Sequence, residues 1–152
     1  MKIEPAFWDD ADVQRLTADQ QAELRARYGG AAEPGIEPSA DDVSVVLVAR
    51  DDEGTALGCG ALRALGDDVA EVKRMYVVPA ARGRGVSKAV LAALEDAARE
   101  HGWMTLLLET GPLQPDAIGL YTSAGYRPIG AFGAYVGHPD AANSLFFERV
   151  VR

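Results

Sequence analysis

Residues 79–91, "PAARGRGVSKAVL", place two arginines, two glycines and a lysine directly ahead of a run with helical periodicity. A helix N-terminus leaves its first backbone N–H groups unpaired and carries partial positive charge. Glycines just before it let the chain curl until those amides converge on one anion. Arginine adds charge-assisted hydrogen bonds that suit phosphate. Arg82, Gly83, Arg84, Gly85, Val86, Ser87 and Lys88 therefore read as a cradle for phosphate or pyrophosphate, against the plainer reading of a turn. The charge distribution favours the cradle. Residues 72–94 hold five bases and no acid, for +5, whereas the rest of the chain carries −13.

Two nucleotide motifs fail on this stretch. A P-loop needs G-x-x-x-x-G-K-[ST], which "GRGVSK" does not supply. The dinucleotide fingerprint needs a third glycine where Lys88 stands, and "PAAR" lengthens the turn. Cys59 lies in an apolar run and reads as a small core residue. One cysteine with His101 and His138 far apart gives no zinc pattern, so no metal is expected.

The 152 residues suffice for one domain with a real core, taken as 1–152. Net charge −8 argues against nucleic acid as a partner. No apolar run is long enough to cross a bilayer, and the N-terminus meets acids before an apolar stretch forms. With a lone cysteine, the expected compartment is the cytoplasm.

Pattern also predicts the elements that must position the cradle. "MKIEPA" reads as a short strand. Residues 9–30 read as a helix with Asp9 or Asp10 as N-cap, Val13, Leu16, Leu24 and Tyr28 at helical spacing, and Gly29–Gly30 as the stop. Residues 31–42 form a Pro/Gly/acid-rich loop that is expected to move and that could close over substrate. Strands over 43–50, 55–65 and 69–78 are joined by "DDEG" and "GDD" turns. Next come a helix over 85–102, a buried-type strand over 103–110 and a short helix opened by Pro115. Residues 126–136 and 143–151 read as a closing strand pair. The order β-α-β-β-β-α-β-α-β-β predicts a mixed α/β (α+β) fold with a central sheet.

"Arg82-Gly83-Arg84-Gly85-Val86-Ser87" resembles the [Q/R]-x-x-G-x-[G/A] signature of the GNAT acyl-CoA-dependent N-acetyltransferases, with Ser87 in place of the small Gly or Ala. "EVKRMYVVPAARGRG" is similar to the family's fourth strand and cofactor loop, and "LLLETG" to its fifth strand. "QPDAIGLYTSAGY" is similar to the N-x-x-A-x-x-L-Y-x-x-x-G-[FY] segment, with Gln114 in place of Asn. The resemblance covers about residues 43–150, and the N-terminal third matches in pattern only.

The resemblance implies a mostly antiparallel central sheet with flanking helices, and acetyl-CoA as co-substrate. Its pyrophosphate would rest on Arg82, Gly83, Arg84, Gly85, Ser87 and Lys88. Its pantothenyl arm would pair with Met75, Tyr76 and Val77 where strands four and five splay apart. Backbone N–H groups near Tyr76 or Val77 would polarise the thioester carbonyl. Glu71, eleven residues before Arg82, stands where several members carry a base that deprotonates the amine directly or through water; an exposed strand residue or a salt bridge with Lys73 is the alternative. Tyr121 stands at the general-acid position facing the CoA sulfur, with aromatic packing as its alternative. Trp8, Phe132 and Tyr135 fit either an acceptor pocket or the core. The implied function is acetyl transfer from acetyl-CoA to a primary amine of a small molecule or peptide. The acidic remainder of the chain would suit a cationic acceptor. A non-catalytic acyl-CoA sensor or scaffold is the alternative, and a homodimer through the C-terminal strands stays open.

Overall fold

The computed structural model describes residues 1–30 and 34–152. Strand β1 (Lys2–Pro5) leads into helix α1 (Ala11–Arg27), which starts where the Asp10 carboxylate accepts from the N–H groups of Asp12 and Val13 at 2.9 and 3.4 Å. That contact satisfies two of the helix's orphan donors. Strands β2 (Val43–Arg50), β3 (Ala56–Ala64) and β4 (Val69–Val77) form an antiparallel meander. Helix α2 (Val86–Glu100), strand β5 (Thr105–Thr110), helix α3 (Pro115–Ser123), strand β6 (Arg127–Ile129) and strand β7 (Leu145–Val150) complete the chain. Among the described residues, seven strands join in one sheet of order β1-β2-β3-β4-β5-β7-β6, in which β4 and β5 run parallel and the other neighbours antiparallel. The element order and the mostly antiparallel sheet are those expected from the sequence.

Helix α2 packs one sheet face. Val86, Val90, Leu91 and Leu94 are buried there against Leu47, Leu62, Val72, Leu106 and Leu108. Gly60 makes that approach close: a Cβ there would come within 2.8 Å of Leu94 and 2.7 Å of the Met75 sulfur. The strand glycine thus makes room for the helix. On the other face, Val13 and Leu16 of α1 pack on Val46, Val48, Cys59 and Ala61. Burial along α1 stops at Thr17. Of the four apolar positions at helical spacing, Leu24 and Tyr28 do not reach this core, and the second half of α1 overhangs the sheet.

The closing strand pair is shorter than its pattern suggests. Residues 126–136 contribute only Arg127–Ile129 as strand, and single 3-10 turns form at Gly133–Tyr135 and Pro139–Ala141. The ladder with β7 ends at Ile129, and Gly133 takes a left-handed φ of 55°, outside extended geometry. Among the described residues no helix is long and apolar enough to cross a membrane.

Candidate active site

Strands β4 and β5 pair over only three positions, Val69 with Thr105, Ala70 with Leu106 and Glu71 with Leu107. Beyond them the strands part. Opposite this point β4 carries a bulge: Lys73 faces Ala61 and Tyr76 faces Cys59, so Arg74 and Met75 together oppose Gly60. Arg74 takes φ 59°, a left-handed value rare for a side chain of this size. A bulge bends the strand and re-aims the side chains beyond it. Ala70 and Val72 pack under α2 before the bulge, and Met75 and Val77 do so after it.

The splay opens into a cleft of about 770 Å³, roofed by the second half of α1 and floored by β4, β5 and the segments leading into α2 and α3. Met75, Tyr76, Val77, Arg82, Gly83, Gly85, Val86, Ser87, Gln114 and Tyr121 all line it. Arg84 and Lys88 are exposed beside the same turn. Gly83 and Gly85 have φ of 78° and 79°, and a Cβ on either would meet nothing within 4 Å. The glycines therefore serve the left-handed turn that brings the α2 amides to the cleft mouth.

Gln20, Glu23 and Tyr28 tie α1 across this cleft. Gln20 Nε2 donates to the Met75 carbonyl at 2.7 Å. Glu23 takes both ends of the Arg82 guanidinium, at 3.0 and 2.7 Å, while Arg82 Nε donates to the Val77 carbonyl at 3.0 Å. At the helix end the Tyr28 hydroxyl accepts from Leu113 N–H at 2.9 Å. The N–H of Val78 turns to β3, where it bonds Leu57, so Val77 faces the open edge. The β4 carbonyls at Met75 and Val77, expected to pair with a pantothenyl arm, thus already accept from Gln20 and Arg82. The Arg82 side chain is committed to Glu23, and the cationic groups left at the turn are those of Arg84 and Lys88.

Tyr121 belongs to both the core under α2 and the wall of the cleft, with its ring edge-on to Tyr126 at 5.7 Å. Burial pushes its phenol well above the ordinary range, and the nearby Glu109 carboxylate adds to this.

Glu71 does not line the cleft. It is 1% exposed; its Oε1 accepts from Arg63 Nη2 at 2.8 Å and its Oε2 from the Tyr135 hydroxyl at 2.5 Å. Lys73 Nζ lies 3.9 Å away and donates to Tyr135 at 3.1 Å. Both carboxylate oxygens are engaged by a buried guanidinium and a phenol away from the cleft lining, and this placement runs against Glu71 as the base. Trp8, Phe132 and Tyr135 also fall outside the cleft lining: Tyr135 and Phe132 pack with Phe146, and Trp8 packs near Val46 and Cys59. In the 31–42 loop, residues 31–33 lie outside the described residues. Beyond them Arg63 holds the Ile36 carbonyl at 2.7 Å.

The sequence reading missed Glu109, Ser144 and Asn143, which line the same cleft. Their one signal was an acid at the end of the strand-like run "LLLET", and which face it takes depends on the sheet order. Among the described residues no group of three His, Cys, Asp or Glu side chains is placed to hold a metal ion.

Residues 4–126 match the acetyltransferase (GNAT) family model. The chain belongs to the GNAT family. The match reaches into the N-terminal third, further than the motifs alone extended. An IAA acetyltransferase of Azospirillum brasilense is 45% identical over 104 residues, 68% of this chain, and the match spans 65% of that relative's length. A Klebsiella pneumoniae protein solved as a candidate acyl-CoA N-acyltransferase superposes with a TM-score of 0.84 at 34% identity, over 99% of this chain and 97% of its own. A GNAT acetyltransferase from Elizabethkingia anophelis, solved with acetyl-CoA bound, shares the fold (TM-score 0.69, 16% identity, 98% and 97% covered). The GNAT fold expected from the motifs is therefore present.

Proposed function

We propose that this GNAT chain transfers an acetyl group from acetyl-CoA to a primary amine of a small molecule or peptide. The observation that carries this reading is the Tyr121 phenol on the wall of the cleft where β4 and β5 part, with the glycine turn at the mouth of the same cleft. The Elizabethkingia neighbour's acetyl-CoA supports the choice of co-substrate. The exposed Arg84 and Lys88 and the α2 amides take the pyrophosphate. The arm runs along the open edge of β4 past Met75 and Val77, and Gln114 stands at the N-cap of α3 on the far wall.

The chemistry needs a neutral amine, a polarised carbonyl and a protonated leaving group. An alkylamine with a pKa of roughly 10 must lose a proton before it attacks. The Tyr121 phenol, protonated at neutral pH as an ordinary phenol is, gives its proton to the departing thiolate. Glu71 takes no part in proton transfer; its carboxylate anchors Arg63 and Tyr135.

The test is release of CoA thiol from acetyl-CoA over a panel of amines. Release that depends on one amine class, with Tyr121→Phe lowering kcat by about 100-fold or more while CoA still binds, is the expected result. Tight CoA binding with no release from any amine would instead favour a non-catalytic acyl-CoA sensor.

A further inference from the structure

We infer that Glu23 is a built-in competitor of the cofactor, a carboxylate that holds the Arg82 guanidinium which the diphosphate of CoA must win; the inference rests on the acetyl-CoA reading above. Arg82 opens the glycine turn, and all three nitrogens of its guanidinium are engaged within the chain. Nε donates to the Val77 carbonyl at 3.0 Å, while Nη1 and Nη2 donate to the two oxygens of Glu23 at 3.0 and 2.7 Å. That planar fork matches carboxylate and phosphate alike, and its outer edge takes one bidentate anion at a time. A diphosphate therefore reaches it by replacing Glu23. The same clamp keeps Arg82 Nε on the Val77 carbonyl, a group on the open edge of β4 that an added strand would use. Gln20, three residues before Glu23 and on the same face of α1, covers the Met75 carbonyl at 2.7 Å.

Both members of the pair keep support when they part. Glu23 Oε1 also accepts from Arg27 Nη2 at 3.1 Å, one turn further along α1, so its charge stays paired. The Arg82 guanidinium lies over the Tyr76 ring, 5.5 Å from its centroid, and that flat support serves it with either anion. The Tyr28 bond to Leu113 uses neither Arg82 nor β4, so the end of α1 stays pinned while the side chains exchange. The pair is also open to water, with Glu23 30% and Arg82 41% exposed. An ion pair this exposed shifts an equilibrium by no more than about fivefold, which sets the size of the hindrance.

The test is calorimetric titration of CoA into the wild type, Glu23→Gln, Arg82→Met and the double variant. Glu23→Gln is expected to bind CoA about three- to fivefold more tightly than the wild type, because the guanidinium is released to the diphosphate. In the Arg82→Met background the same change should gain nothing, since no guanidinium is left to release. An equal gain without Arg82 would make the effect plain repulsion between Glu23 and the phosphates, and would overturn the inference. A Glu23→Gln chain that binds CoA no better than the wild type, or worse, overturns it as well, for the carboxylate would then be placing Arg82 for the cofactor. A wild type that binds no CoA overturns the acetyl-CoA reading itself and the competitor with it.

Discussion

The Tyr28 hydroxyl lies directly over Gly111: a Cβ on that glycine would come within 1.9 Å of the phenolic oxygen. One residue ends α1 and the other comes just after β5, so this contact, with the bond from Leu113 N–H to the same hydroxyl, pins the overhanging helix to the far wall of the cleft. Gly111→Ala must push Tyr28 away. It is expected to cost about 1–3 kcal/mol of stability by overpacking and to weaken CoA binding. Tyr28→Ala in the same chain should recover part of that loss. A denaturant double-mutant cycle reads the coupling, and additive single effects would show that the two residues act separately.

Arg82 and Arg84 stand two residues apart yet are set to different work. Arg82 spends its guanidinium on Glu23 and on the Val77 carbonyl, whereas Arg84 is exposed beside the glycine turn. Arg84→Glu is therefore expected to weaken CoA binding by about 10-fold or more, the scale of one lost charge-assisted hydrogen bond. Its effect on stability should stay within about 0.5 kcal/mol, as for most surface changes. Calorimetric titration with CoA and a thermal melt check both, and unchanged affinity would move the phosphate site away from this turn.

The strands, the long helices and the glycine turn were legible because each rests on a local period or a local backbone need. Tyr121 was legible through the motif around it. The surroundings of Glu71 were not, since its partners come from Arg63 on the neighbouring strand and from Tyr135, which sits in a 3-10 turn that the pattern of 126–136 presents as strand. Glu109 was hidden for a related reason. Alternation says that it faces away from Leu108, but only the three-pair limit of the β4–β5 ladder puts that face in an open cleft.

The Glu71–Arg63 pair makes a stability prediction distinct from catalysis. Both side chains are buried, and Glu71→Gln takes from the Arg63 guanidinium its nearest and buried carboxylate, leaving the more exposed Asp42 at 3.4 Å. Glu71→Gln is expected to lose about 3–5 kcal/mol, the scale measured for broken buried pairs. Replacing both residues with apolar ones, Glu71→Leu with Arg63→Met, should recover much of this. Chemical denaturation compares the three chains. A Glu71→Gln protein of wild-type stability but with a kcat reduced about 100-fold would return Glu71 to the role of base.

Cys59 supplies a check that also protects the thiol assay. It is 2% exposed between β2 and β4, its thiol donates to the Arg74 carbonyl at 3.4 Å, and burial pushes its pKa up to about 12. Because the thiolate is the reactive form, at pH 8 only about 1 in 10,000 of these groups would be ionised even if a reagent reached them. An aromatic disulfide reagent is therefore expected to label the native chain no faster than the protein opens, and to label one thiol per chain at once in denaturant. CoA released during turnover can then be read against a flat background. Rapid stoichiometric labelling of the native chain would mean that β3 and β4 separate readily at the bulge, and the closed sheet on which Glu71 and Glu109 were placed would not be the resting state.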